Sequence, residues 1–181
     1  MVLWVPNVFA SWSVEEGSVV NFVSIKNDVV GELNRFENIS GFFSDDGKIE
    51  IQISLDSVET YVDIRNIRLK SLLFEVAKYP HATIRGQLNA KALESLHSKQ
   101  NGLFDVDIEI SLHGKTVVKT TKIYVSHTLG RANVMTAEPI LLTAANCFSF
   151  KLLKSIYPQI FQIFFSSFFM IFKCFIKNMF T

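Results

Sequence analysis

Between Gly47 and Ile84 the spacing of apolar positions changes twice, and the rest of the chain is organised around that change. Ile49, Ile51, Ile53 and Leu55 alternate with Glu50, Gln52 and Ser54. A period of two marks a half-buried strand. Asp63 then sits where it could cap a helix, and Ile64, Ile67, Leu69, Leu72 and Leu73 recur at helical spacing before Tyr79-Pro80 stops it. Alternation resumes with Ala82, Ile84, Gly86 and Leu88 against Thr83, Arg85 and Gln87. The expected unit is a strand, a short helix lying over what the strands leave open, and a second strand.

The remaining chain reads as further strands with tight turns. Glu16-Gly17 turns into Ser18–Lys26, 29–43 is one extended region passing Gly31 and Gly41, and Asp45-Asp46-Gly47 is a hairpin turn. Residues 90–96 form a second short helix. Phe104, Val106, Ile108, Ile110 and Leu112 then alternate with Asp105, Asp107, Glu109 and Ser111, and His113-Gly114-Lys115 turns that strand into 117–125. After Gly130, residues 132–136 and 140–144 are extended. Many strands with two short helices predict an all-β fold, an antiparallel sheet that closes on itself. In a small barrel the apolar sides point inward, where they fill a core or line a cavity for one apolar ligand. The pattern is the same in both cases.

Composition narrows the function. The chain has 18 Lys and Arg against 17 Asp and Glu. Four of those Lys lie in 151–181, so the remainder is slightly acidic, which excludes a nucleic-acid surface. The two cysteines, Cys147 and Cys174, both lie near the end, so no disulfide framework or zinc site is expected. Residues 1–10 are apolar and end Val8-Phe9-Ala10, like the last part of a clipped secretory signal, although a basic start is missing. The other reading is an edge strand reaching Trp12.

No catalytic constellation is visible. The four histidines, His81, His97, His113 and His127, show no ligand spacing, and His113 reads as a hairpin residue. Asp45-Asp46-Gly47 lacks the other ligands of a calcium loop, and Asp105, Asp107 and Glu109 read as a solvated strand face. No catalytic residue, metal site or cofactor is expected.

Several ordered motifs do carry a resemblance. Ser57-Val58-Glu59-Thr60, Ile64-Arg65-Asn66-Ile67-Arg68-Leu69, Leu73-Phe74-Glu75 and Lys78-Tyr79-Pro80-His81-Ala82-Thr83-Ile84 resemble the central signature of the YceI-like family of polyisoprenoid-binding proteins. Ile110-Ser111-Leu112-His113-Gly114 and the segment from Val134 to Leu141 resemble its later motifs. The likeness covers about residues 12–146 and implies a lipocalin-like barrel whose interior takes a long isoprenoid chain, in an exported, periplasmic or secreted protein. Many members carry Asp and His where this chain has Asn66 and Arg68, which weakens any transfer of a polar headgroup site.

Residues 147–181 depart from that family's pattern. They hold ten of the 17 Phe, with no Gly and no acid, where the family would supply a closing strand. A frameshift product explains such a tail best. A membrane segment over 156–172 is the second reading, although it is short of about twenty apolar residues. A real closing strand with a helix is the third. The expected organisation is thus a signal remnant over 1–10, a barrel domain over 11–146 that is incomplete at its C-terminus, and an atypical apolar tail.

The functional expectation is a non-enzymatic carrier of an isoprenoid quinone or polyprenyl diphosphate. The inward candidates are Ile51, Ile53, Ile84, Leu88, Phe104, Val106, Ile108 and Ile110. Arg65 and Arg68, three apart on one helix face, suit a diphosphate or a quinone oxygen at the barrel mouth. Equally, Arg65 could pair with Glu59, Asp56 or Asp63 and pin the helix down. Membrane association through 156–172 and a homodimer are further expectations. An enzyme on isoprenoid-like substrates, with Tyr124 or His127 as acid or base, is the alternative, and a membrane-anchored envelope protein a third.

Overall fold

The computed structural model describes residues 11–26, 30–128, 131–142, 147–148 and 168–178. The expected signal remnant, residues 1–10, lies outside them. Strand follows strand in short steps: β1 (Ser11–Val14), β2 (Val19–Lys26), β3 (Val30–Phe36), β4 (Ile39–Ser44), β5 (Lys48–Ser54) and β6 (Val58–Glu59). Helix α1 (Asp63–Arg68) and a π-helical turn, Leu69–Leu73, lead to β7 (His81–Gln87). Helix α2 (Ala90–His97) then precedes β8 (Gly102–Leu112), β9 (Lys115–Thr128), β10 (Arg131–Thr136), β11 (Ile140–Leu142) and β12 (Phe168–Asn178).

All these strands join one antiparallel sheet. The order runs β1-β4-β5-β7-β8-β9-β10-β12, and β12 also pairs β1, so the path returns to its start as a barrel. The strands β2, β3 and β6 continue from β12, while β11 pairs its opposite side. The tail thus occupies the place where a closing strand is expected. Lys173–Ile176 pair β10 and Phe169–Lys173 pair β2, so neither strand presents an open edge there. Phe168–Asn178 is rich in aromatic and aliphatic residues, which favour a strand flanked on both sides. The alternative of a membrane segment over 156–172 falls mostly outside the described residues. Among those that are described, no helix is long and apolar enough to cross a membrane.

Strand register agrees with the alternation read along the chain. Ile51 stands opposite Ile84, and Ile84 opposite Ile110, so three strands contribute one apolar row to the interior. The extended region over 29–43 is two strands instead of one: β3 pairs β2 and β6, while β4, continuing in the same direction after Glu37-Asn38, pairs β1 and β5. Helix α2 begins where Asn89 accepts a hydrogen bond from the Ala92 backbone N–H at 2.9 Å, an N-cap.

Around α1 the structure corrects the expected helix. It starts one residue earlier than a cap at Asp63 requires, with Val62 at the N-cap and no side-chain cap. Leu69 and Leu73 are buried, but Ile64 and Ile67 are more than half exposed. The inward position on that turn belongs to Asn66. Its Oδ1 accepts from the Thr60 backbone N–H at 2.9 Å and the Thr60 hydroxyl at 2.6 Å, and its Nδ2 donates to Glu59 at 3.1 Å. Three hydrogen bonds to the β6 segment decide the rotation of a helix too short for apolar periodicity to decide it.

Candidate functional site

The inner face of the barrel is the site the sheet builds. Ile51, Ile53, Ile84, Leu88, Val106, Ile108 and Ile110 are all buried there, and Phe104 is partly buried against the same core. Their neighbours Glu50, Arg85, Asp105 and Asp107 face out and pair across the surface, as Arg85 does with Glu50 and Thr120 with Asp107. The Phe104 ring folds back over Gly102, where a Cβ would stand 2.3 Å from it, so a larger residue there would displace the ring.

One end of the interior is closed by the segment after α1. Phe74, fully buried, follows the π-helical turn and reaches in from the end of the barrel. Its ring belongs to an aromatic chain: Phe22–Phe36 centroids are 5.1 Å apart, Phe36–Phe74 5.7 Å and Phe74–Phe148 6.2 Å. Beside Phe74 lies an apolar cavity of about 10 Å³, walled by Phe36, Ile53, Leu55, Ala82, Ile110 and Leu112. That is room for about one water molecule. Two of the expected site residues, Ile53 and Ile110, line it. Phe36, Leu55, Phe74, Ala82 and Leu112 were not anticipated as site residues, although Phe74 lies in one of the motifs and Leu112 continues the β8 alternation.

Polar groups at this end are partnered. His113 takes a positive φ of 53° and Gly114 one of 74°, which the tight β8–β9 turn requires. The His113 side chain is only 6% exposed, and its Nε2 lies 2.6 Å from a Glu75 carboxylate oxygen. Its ring is flanked by Tyr79 at 4.2 Å and Phe148 at 5.4 Å. Lys115 donates to the Phe148 carbonyl at 2.6 Å, tying residues 147–148 to the same hairpin. Burial pushes the Cys147 thiol up to about 11 despite Lys115 and Lys119, so it stays protonated at neutral pH.

The two arginines do not join the apolar site. Arg65 makes an ion pair with Glu32 on β3, so it pins α1 to the sheet through a different acid from the three considered. Arg68 is exposed, and neither side chain lines the cavity. Nearby, the Asn66 amide and the Tyr61 backbone N–H hold the Glu59 carboxyl below its usual range.

The far end differs. Along β9, Thr121, Ile123 and Val125 are buried while Lys122 and Tyr124 face solvent. Tyr124 therefore lies outside the barrel and cannot act within it. His127 has the inward parity, and both of its ring nitrogens are shielded from solvent with no hydrogen-bond partner among the described residues. A buried donor or acceptor left unpaired costs about 1–3 kcal/mol, so folded proteins keep few of them. Among the described residues no cluster of His, Cys, Asp or Glu could hold a metal ion.

Comparison with known proteins bears on this geometry. A family model described as the YceI-like domain matches residues 12–153. No curated protein matches the chain in sequence. Among solved structures, a polyisoprenoid binding domain from Saccharophagus degradans, implicated in plant cell wall breakdown, is 29% identical. It superposes with a TM-score of 0.81 over 94% of this chain and 99% of its own. Residues 1–146 alone could not supply 94%, so the superposition runs into the tail. BcnA from Burkholderia cenocepacia aligns at 15% identity and a TM-score of 0.68, over 90% of this chain and 98% of that one. The Campylobacter jejuni YceI protein aligns at 14% and 0.56, over 80% and 83%; these two show the fold alone. A closed antiparallel barrel with an apolar interior, matched by the family model over most of its length, makes this chain a member of the YceI-like family.

Proposed function

We propose that this protein is a non-enzymatic carrier that holds an isoprenoid lipid, a quinone or a polyprenyl diphosphate, inside its barrel in the cell envelope. The observation that carries the reading is the apolar inner face that runs from Ile51, Ile84 and Ile110 to the aromatic chain ending at Phe74 and Phe148. The binding domain from Saccharophagus degradans supports the choice of ligand. Burying an isoprenoid chain against such a face gains roughly 25 cal/mol per Å² of apolar surface.

Uptake needs room beyond a cavity of about 10 Å³. The test is native mass spectrometry of the full chain purified from a cell-envelope fraction. A complex heavier than the chain by several hundred daltons, releasing an isoprenoid on extraction, is expected. A chain that stays ligand-free there and after incubation with an isoprenoid quinone would show a filled core and sink the carrier reading.

A further inference from the structure

Of the four histidines, His127 is the one whose ring nitrogens are both buried and, among the described residues, unpartnered. His113 reaches Glu75, His97 lies 3.5 Å from Asp45, and His81 is exposed. The backbone holds His127 firmly: its N–H donates to Asn101 Oδ1 at 2.9 Å, and it pairs across the ladder with Ala132. The residue opposite, Ala132, is buried, so His127 stands on the strand face that points into the barrel. A neutral imidazole offers one donor and one acceptor, and here neither is used.

We infer that His127 receives the oxygen-bearing headgroup of the bound isoprenoid; this rests on the carrier reading above. The tail would then run toward the cavity at Phe74. From Lys115, beside that cavity's end of the barrel, to His127 is roughly 40 Å of strand at about 3.3 Å per residue, a path for a long chain. An oxygen at the His127 end satisfies the ring, while the apolar rows between take the hydrocarbon. A second unpartnered buried group, the Thr121 hydroxyl, lies on the same inner stripe but about 20 Å nearer the β8–β9 turn. It is too far away to share one headgroup with His127 and serves as the internal control.

The experiment compares an isoprenoid quinone with squalene, an isoprenoid hydrocarbon without oxygen, by tryptophan-fluorescence titration of the full-length protein and its variants. His127→Leu is expected to weaken quinone binding about tenfold, the loss of one hydrogen bond, and to leave squalene unchanged. His127→Gln, which keeps a donor and an acceptor, should retain most of the preference. The ligand-free His127→Leu chain should melt no lower than the parent, because an unpaired buried polar group has gone. Equal losses for both lipids, no loss for either, or a loss confined to Thr121→Val would each overturn the assignment. A parent protein that binds neither lipid would overturn the carrier reading itself, a separable outcome.

Discussion

At the end where β8 turns into β9, His113 is locked against Glu75 and flanked by the tilted rings of Tyr79 and Phe148, while at the other end His127 has, among the described residues, no partner for either ring nitrogen. The two residues are the same chemistry on one hairpin. One spends its hydrogen-bonding capacity on fixing the segment that carries Phe74; the other leaves that capacity unused within the fold. The difference separates stability from binding: the first end is built to be closed in the free protein, and the second is completed from outside.

Truncating the plug should break that contrast most severely. Phe74→Ala removes a fully buried ring and enlarges the cavity beside it, which typically costs about 3–5 kcal/mol. Thermal denaturation should show a large fall in Tm, partly recovered with an isoprenoid quinone present, since the new space takes the tail. A Tm close to the parent's would mean that Phe74 does not close that end.

Ile108→Trp blocks the path between the ends. Ile108 is buried on β8 opposite Lys119, so a larger side chain intrudes on the interior. Overpacking of this kind costs about 1–3 kcal/mol, and the barrel should remain folded by circular dichroism. Lipid uptake should be lost. Unchanged uptake would place the ligand elsewhere.

Glu75→Gln tests the locked end gently. The glutamine keeps the shape of the contact with His113 but not its charge, and a loss of about 1 kcal/mol is expected. Set against His127→Leu, which should lose nothing without ligand, the pair gives opposite answers for one residue type. A destabilised His127→Leu beside a neutral Glu75→Gln would reverse the roles of the two ends.

Much of this was legible in the chain, and the exceptions have physical causes. The β8 alternation from Phe104 to Leu112 states both the strand and its inner face, because one side is solvated and the other is not. The last strand is apolar on both parities from Phe168 to Phe172, so period two says nothing about it, and only its pairing with β10 and β2 shows its role. Ile64 and Ile67 have core-like spacing yet face out, because Asn66 is drawn in by Thr60 and Glu59, partners no helical period records. Arg65 was readable as an anchor, but its acid, Glu32, comes from a distant strand. At the site, the aliphatic rows followed from alternation. Phe74 did not, since it belongs to no regular strand or α-helix, and His127 needed the parity of Ile123 and Val125 to be carried to the end of β9.

The smallest expected effect lies in the hairpin between β4 and β5, which belongs to the His127 end: Lys48 pairs with Gln87, the last residue of β7 before α2. There the Ser44 hydroxyl, and after it Lys48, hold the Asp46 carboxyl at about 2. A carboxylate in the unfolded chain titrates near 4. The folded form therefore binds its proton less readily, and the stabilisation is complete above pH of about 4 and disappears as pH falls through about 2. Asp46→Asn should melt slightly below the parent at pH 6 and together with it at pH 2. Because Asp46 is solvent-exposed the gap should be small and should shrink further in high salt. Glu59, at the plugged end, also has a lowered carboxyl, so both chains should share the remaining acid sensitivity, and only their difference reports the hairpin. A gap that persists unchanged down to pH 2 would mean that Asp46 acts there through turn conformation and not through charge.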